Sequence, residues 1–257
     1  MSDMVENYSH RFTSSQAVSS YDNVEYGKDS YSSFIWKLQQ PFLVRELDRV
    51  RSANQTLELL DFACGTGRVL GYVAPLATSS TGVDISTEML ETAQVRCPDS
   101  RLLAGDICTT PLLLDSTFDA ITMFRFILNA GPEISRNVLL TLRKHINPHH
   151  GILIANVHGN SWSARHIAIA RHKRNLKINP GTQKSSLMLE EMSPPQMMRL
   201  LTSTGFETIR SYGFGLFPGV FHRLPGAGIV KRFERIFAGN NPCKWLSTDL
   251  LLVARPR

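Results

Sequence analysis

Cysteine is scarce in this chain of 257 residues, and its four cysteines stand apart from one another and from histidine. This spacing predicts neither a disulfide framework nor a metal site, and free thiols fit a reducing cytoplasm. The first residues lack the basic and apolar segments of a secretory signal peptide. No apolar run approaches the roughly 20 residues that cross a bilayer. A hydrophobic content of 42% is ample for one packed α/β domain in the cytoplasm.

Acidic residues are scarce in the second half of the chain. Residues 1–158 contain 13 Lys and Arg against 17 Asp and Glu, whereas residues 159–257 contain 15 against 5. The overall charge of +6 therefore combines −4 in the first part with +10 in the second. The basic part is either a solvated surface or a surface that attracts an anionic substrate, a membrane or nucleic acid.

A glycine-rich turn follows the first clear strand pattern, in residues 57–68. An apolar run ends at Asp61 and gives way to a small-residue turn with Gly65 and Gly67, after which apolar residues recur at helical spacing. Glycine lets the backbone bend sharply and lets a ligand approach closely. Because the turn opens a helix, its free N–H groups favour an anionic group.

Acidic residues also close the next two strand patterns. Asp84 ends the strand of residues 81–85, about 20 residues past the turn, where a carboxylate can accept hydrogen bonds from both hydroxyls of a ribose. Ser86 then caps a helix, and Ile85 and Met89 either cover an adenine or pack in the core. Asp106 ends the strand pattern of residues 101–107.

The acid, the Gly-x-Gly turn and the acids at successive strand ends resemble the class I S-adenosylmethionine-dependent methyltransferases. The resemblance covers residues 57–255, and Ala63 stands where the family often has its first glycine. It implies a Rossmann-like fold with a seven-stranded, mostly parallel sheet, helices on both faces, N-terminal helices and an inserted lid or cover. The dinucleotide fingerprint is matched less well, because its third glycine is displaced to Gly71.

The resemblance implies that S-adenosylmethionine is the cofactor. Asp61 and the turn around Gly65 would hold its amino-acid end, Asp84 its ribose, and Asp106 with Ile107 its adenine. The full set of cofactor-binding residues expected is Asp61, Ala63, Cys64, Gly65, Gly67, Asp84, Ile85, Met89, Asp106, Ile107 and Phe124.

Polar residues follow the fourth and fifth strand patterns, at residues 118–124 and 152–158. Ligands in open α/β sheets bind at the carboxyl ends of strands, so Arg125, Asn129, Asn156 and His158 are the candidate catalytic residues. His158 is either a general base, since its ordinary pKa lies near neutrality, or a hydrogen-bonded structural histidine.

The pattern along the chain predicts a mobile segment over residues 1–30 and one methyltransferase domain over residues 31–257, with insertions or covers at 159–192 and 213–241. The last of these interleaves aromatic, aliphatic and basic residues, which favours weak contact with a membrane surface.

The predicted activity is methyl transfer to a hydroxyl, less favourably to an amine, of a small-molecule, sugar or lipid-linked acceptor that can be anionic. Base methylation is disfavoured because the Asn/Asp-Pro-Pro-aromatic motif is absent. The alternatives are an RNA-modifying methyltransferase, an NAD-dependent oxidoreductase and a non-catalytic module that binds an adenosyl ligand.

Overall fold

A seven-stranded sheet forms the centre of the computed structural model, which describes residues 27, 30–113, 116–167, 192–223 and 225–257. The strands are β1 (Glu58–Phe62), β2 (Ser79–Asp84), β3 (Arg101–Ala104), β4 (Ala120–Phe124), β5 (Ile152–His158), β6 (Phe206–Phe214) and β7 (Asp249–Pro256). The α-helices are α1 (Tyr31–Asn54), α2 (Leu70–Val73), α3 (Thr87–Arg96), α4 (Ile127–Leu142), α5 (Pro194–Ser203) and α6 (Ala227–Phe237).

The strands run in the spatial order β3-β2-β1-β4-β5-β7-β6. The first five strands are mutually parallel, and β7 is antiparallel to both β5 and β6. This confirms the seven-stranded, mostly parallel sheet predicted from the sequence. Because the strand order reverses between β1 and β4, a crevice opens at their carboxyl ends, where ligands bind in open α/β sheets.

Successive side chains of the central strands pack against helices on opposite faces of the sheet. On one face Leu60 and Met123 join a core that includes α4 and α5, and on the other Leu59 and Ile154 join a core that includes α1 and α3. The period of two along each buried strand therefore fixes a layer of helices on each face.

The helix starts follow the capping signals in the sequence. The Ser86 Oγ accepts a hydrogen bond from the backbone N–H of Met89 at the start of α3. Ser193 begins α5 with a capping box, in which its own N–H donates to the side chain of Gln196. Such caps satisfy N–H groups that have no partner within the helix.

The sequence pattern allows a helix break at Pro41 and predicts a last strand over residues 245–254, and the structure differs at both places. Pro41 does not divide the first helix, because buried side chains on both sides of it, such as Trp36 and Leu43, pack into the same core. The last strand begins at Asp249 rather than at Trp245, because Lys244–Leu246 form a 3-10 turn. Most of the predicted 159–192 insertion, and nearly all of the 1–30 segment, lie outside the described residues.

Candidate active site

A cavity opens at the carboxyl ends of β1, β2 and β4, where the strand order reverses. Its walls come from the turn after β1, the end of β2, the loop after β3, the end of β4 and the first turns of α4. Residues that represent these five elements are Gly65, Asp84, Asp106, Phe124 and Asn129. The sheet topology therefore brings together residues that lie far apart in the sequence.

The turn after β1 uses positive φ angles at Ala63 (55°), Gly65 (53°) and Gly67 (74°). A Cβ added to Gly65 would meet nothing within 4 Å, and this residue lines the cavity. A Cβ added to Gly67 would lie 2.9 Å from the Cys97 Sγ and 3.1 Å from the Ala93 Cα, so this glycine lets α3 pack closely. Ala63 adopts a left-handed conformation that is strained for a residue with a side chain.

The carboxylate of Asp84 joins two loops at the edge of the cavity. Its Oδ2 accepts a hydrogen bond from the Gly65 N–H at 2.7 Å, and its Oδ1 accepts one from the Ser86 N–H at 3.0 Å. Burial raises the pKa of Asp84, and these N–H groups act against that rise. A carboxylate has about four acceptor positions, so Asp84 retains capacity for the hydroxyls of a ligand.

Asp61 lies fully buried beneath the same turn. Its Oδ1 accepts a hydrogen bond from the Thr122 hydroxyl at 2.6 Å, whereas its Oδ2 has no hydrogen-bond partner in the described part of the chain. Burial raises the pKa of Asp61 to about 7, although the Thr122 hydrogen bond, the Arg68 charge and the Leu70 backbone N–H oppose this. A buried carboxylate oxygen without a donor fits the ammonium group of an amino-acid ligand.

The loop after β3 forms the opposite wall of the cavity. The Asp106 Oδ1 accepts a hydrogen bond from the Cys108 N–H at 2.9 Å, which holds the loop in a tight turn. Ile85, Met89 and Ile107 line the cavity beside it. Apolar side chains next to a polar turn suit a flat aromatic ring whose edge carries hydrogen-bonding groups.

A buried polar cluster lies at the neighbouring ends of β5 and β7. Asp249, the first residue of β7, lies opposite His158 of β5 in the register of the two strands. The Asn156 Nδ2 lies 3.5 Å from the Asp249 Oδ1. Burial raises the pKa of Asp249, and the nearby charges of Arg125 and Arg165 act in the opposite direction. Because Arg125 also lines the cavity, the cluster and the cavity are neighbours.

His158 is buried next to positively charged side chains. Burial, together with the positive charges of Arg125 and Arg165, holds the pKa of its imidazole well below the ordinary value of 6.5. Within the described ranges its Nδ1 has no hydrogen-bond partner, whereas the Gln39 side chain faces Asp249 as a hydrogen-bond donor. The imidazole therefore retains the capacity to bind a polar ligand, and its lowered pKa makes it a weaker base than an exposed histidine.

Tyr31 connects the polar cluster to the segment that follows β6. Burial raises the pKa of its hydroxyl far above the ordinary range, and the Asp249 carboxylate adds to this rise. The hydroxyl donates a hydrogen bond to the Phe217 carbonyl at 3.2 Å, and a Cβ added to Gly215 would collide with it. The N-terminal helix and the segment after β6 thus close one side of the cluster together.

Part of this chain matches known methyltransferases. Residues 59–149 match the family model described as a methyltransferase domain. A demethylmenaquinone methyltransferase of Thermotoga maritima is 42% identical over 69 residues, which are 26% of this chain and 29% of that protein. The alignment thus spans less than a third of this curated relative.

Solved structures resemble almost the whole chain. Magnesium protoporphyrin IX methyltransferase from Synechocystis PCC 6803, with bound S-adenosylhomocysteine, superposes with a TM-score of 0.64 at 15% identity, covering 99% of this chain and 100% of that one. The PH0226 protein from Pyrococcus horikoshii OT3 gives 0.60 at 16% identity, covering 92% and 98%. At these identities the likeness concerns the fold.

Residues 59–149 carry a methyltransferase domain, and the fold of the chain is that of the class I methyltransferases. The family recognised from the Asp61 to Gly67 segment and the acids at the strand ends is confirmed by the family model and by the fold. The match over residues 59–149 contains β1 to β4, which supply most of the cavity walls.

Most of the cofactor-binding residues predicted for the methyltransferase line the cavity. These are Ala63, Gly65, Asp84, Ile85, Met89, Asp106, Ile107 and Phe124. Asp61, Cys64 and Gly67 are buried and lie outside the lining. Asp106 stands two residues beyond the end of β3 rather than at its last position.

The candidate catalytic residues fall into two groups. Arg125 and Asn129 line the cavity, and the Asn129 Nδ2 donates a hydrogen bond to the Arg125 carbonyl. Asn156 and His158 do not line it but belong to the cluster around Asp249.

Asp249, Gln39 and Tyr31 also belong to this cluster, and the sequence did not predict them as site residues. In the sequence, the one sign of this cluster is a polar residue, Asp249, directly before an apolar strand. The pairing of β7 with β5 is a tertiary feature that no local pattern shows. Gln39 likewise stands out only as a polar residue on the buried side of α1.

Proposed function

We propose that the methyltransferase domain binds S-adenosylmethionine in the cavity and transfers its methyl group to a hydroxyl of a small-molecule, sugar or lipid-linked acceptor. The observation that carries the proposal is the unpartnered Asp61 Oδ2 beneath the glycine turn, next to the unused acceptor capacity of Asp84. The relative crystallised with S-adenosylhomocysteine supports the same cofactor by its fold.

Each part of the cofactor has matching residues. The Asp61 carboxylate and the backbone around Gly65 suit the amino-acid end, and Asp84 suits the ribose hydroxyls. Ile107 and Met89 provide an apolar surface for the adenine ring, beside the Asp106 turn. The Asp61 carboxylate, the Asp84 carboxylate and the apolar wall thus match, in turn, the ammonium group, the ribose hydroxyls and the adenine ring of the cofactor.

The cluster around Asp249 supports the acceptor side. When bound, S-adenosylmethionine supplies an electrophilic methyl group on a sulfonium. An attacking hydroxyl must lose its proton. The His158 Nδ1 can accept that proton, although the lowered pKa of this imidazole makes it a weaker base than an exposed histidine, and Asn156 can orient the acceptor. Alignment itself supplies much of the rate in a displacement of this kind.

An oxygen acceptor is favoured over an amine by the charges around the cluster. Arg125 and Arg165 both act on Asp249 and His158, so the neighbourhood carries positive charge. Such charge repels an ammonium group and stabilises an acceptor that is neutral or anionic. The four thiols, none of which forms a disulfide, support a cytoplasmic location.

The charge of residues 159–257 favours an RNA-modifying methyltransferase as the second candidate. Titration calorimetry with S-adenosylmethionine, S-adenosylhomocysteine and NAD tests the cofactor, and stronger binding of NAD would contradict the proposal. Transfer of a labelled methyl group to metabolite, glycan, lipid and RNA pools then tests the acceptor. Label in RNA alone would favour the second candidate, and tight cofactor binding without transfer to any pool would favour a non-catalytic module.

A further inference from the structure

Helix α6 presents an apolar stripe to solvent. Ile229, Phe233 and Ile236 are 66%, 48% and 65% exposed. The adjoining 3-10 segment Gly219–Arg223 packs against α6 and adds Val220, which is 59% exposed. Large apolar side chains exposed together in this way mark a surface for interaction rather than a solvated one.

Glu234 fixes the orientation of this helix. It is buried, and its two carboxylate oxygens accept hydrogen bonds from the N–H groups of Leu216 and Phe217 at 3.0 and 2.8 Å. Since successive residues of a helix are 100° apart, the stripe of Ile229, Phe233 and Ile236 lies on the side opposite Glu234. These three apolar residues therefore face solvent, because Glu234 faces the interior of the protein.

Exposed charge around the stripe is positive. Residues 208–248 contain six Lys and Arg but only one acidic residue, Glu234, and that residue is buried. Arg232 and Arg235 are exposed on α6 beside the stripe. A second copy of the chain is a poor occupant, because a symmetric contact would bring these like charges together.

We infer that the α6 surface, defined as Val220, Ile229, Phe233 and Ile236 with Arg232 and Arg235, docks on a bilayer that contains anionic lipids. The 11 residues of α6 span about 16 Å, which suits a helix lying in the plane of the membrane. The stripe inserts at the level of the acyl chains, and the two arginines contact the headgroups. Among the described residues, no helix has both the length and the apolarity to cross a bilayer.

Vesicle flotation of the full chain tests this inference without any need for catalytic activity. We expect flotation with vesicles of equal parts phosphatidylglycerol and phosphatidylcholine at about 0.1 M salt, and much less at about 1 M, where the screening length falls from about 10 to about 3 Å. Vesicles of phosphatidylcholine alone should recover little protein. Absence of flotation with the anionic vesicles at low salt would overturn the inference.

Variants separate the charge from the apolar stripe. Arg232→Gln with Arg235→Gln should lower partitioning about thirtyfold, since each basic residue near the surface contributes about fivefold. Ile229→Ser with Phe233→Ser and Ile236→Ser should lower it at least about tenfold.

Matched controls lie elsewhere on the surface. Arg101→Gln with Lys144→Gln removes two exposed charges, and Val95→Ser removes an apolar side chain that is 85% exposed. Neither control should change flotation, and every variant should retain wild-type circular dichroism. Equal losses in the controls and the α6 variants would contradict the inference. A wild-type dimer that the triple serine variant dissolves would also contradict it, and would assign the surface to a second copy.

Discussion

Asp61→Asn should stabilise the ligand-free protein while weakening its binding of S-adenosylmethionine. The asparagine Oδ1 can keep the hydrogen bond from Thr122, but the substitution removes a carboxyl group whose pKa burial raises to about 7. The wild-type group binds a proton in the folded chain at pH values where the unfolded chain has lost it. Its contribution to stability is therefore fully present below about pH 4 and is lost as the pH rises through about 7.

The magnitude follows from the difference between the two pKa values. Each tenfold change in an ionisation constant is worth about 1.4 kcal/mol, so the gap between 3.8 and about 7 amounts to about 4 kcal/mol. The free energy of unfolding of Asp61→Asn should therefore exceed that of the wild type by an amount that grows with pH, reaching up to about 4 kcal/mol above pH 7.

Urea denaturation of both proteins between about pH 5 and pH 8 measures this difference. Asp119→Asn is the matched control, because the Asp119 carboxylate already accepts a hydrogen bond from the Glu58 N–H and pairs with His150. We expect that control to lose stability. A constant difference between Asp61→Asn and wild type across the pH range would refute the reasoning.

Calorimetry with S-adenosylmethionine gives the second readout for the same variant. Loss of a charge-assisted hydrogen bond to the cofactor's ammonium group should weaken binding at least about tenfold. The two effects have opposite signs, so general damage to the fold cannot produce both. A stabilised variant with unchanged cofactor affinity would show that Asp61 does not contact the amino-acid end.

The remaining predictions concern the turn, the ribose contact and the proton acceptor. Asp84→Ala should weaken cofactor binding at least about tenfold and also lower stability by about 1–3 kcal/mol, since two backbone N–H groups lose their acceptor; unchanged calorimetry would place the ribose elsewhere. Gly67→Ala should lower the free energy of unfolding by about 3 kcal/mol, measured by urea denaturation, because its Cβ would press against Ala93. Gly65→Ala should chiefly block binding of the cofactor, because no atom of the described residues lies near its Cβ. Equal losses of stability in the two variants would contradict this difference. His158→Ala should lower single-turnover methyl transfer at least about a hundredfold with little change in cofactor affinity, and full activity would make His158 structural.

Local signals in the sequence predicted the strands, the turn and the helix cap around the cavity well. The run of apolar residues to Asp61, the glycine turn and the strand ending at Asp84 are each contiguous in sequence, and each reappears as a strand, turn or cap in the structure. The acid Asp84 needed no tertiary information, because a strand end followed by a capping serine identifies its position. Parallel pairing of neighbouring strands then brought these ends together.

The polar cluster around Asp249 could not be predicted in the same way. The cluster of His158 and Asp249 depends on the antiparallel register of β7 with β5, which joins residues 91 positions apart and leaves no periodic trace. Tyr31 and Gln39 enter from the N-terminal helix, whose weak amphipathic pattern did not indicate which polar residues face inward. Burial also changes the chemistry, since the low pKa of His158 follows from its surroundings rather than from its residue type.

The two hydrogen bonds that Asp84 accepts affect the rate of ligand association and the entropy that binding costs. Because one carboxylate holds both the Gly65 turn and the Ser86 cap, the two loops that frame the cavity are already in place before any ligand arrives. Binding then needs little loss of backbone entropy on that side, so the cofactor site is pre-organised. Association should proceed in a single kinetic phase, with a rate that rises linearly with ligand concentration and shows no plateau from a slow loop rearrangement.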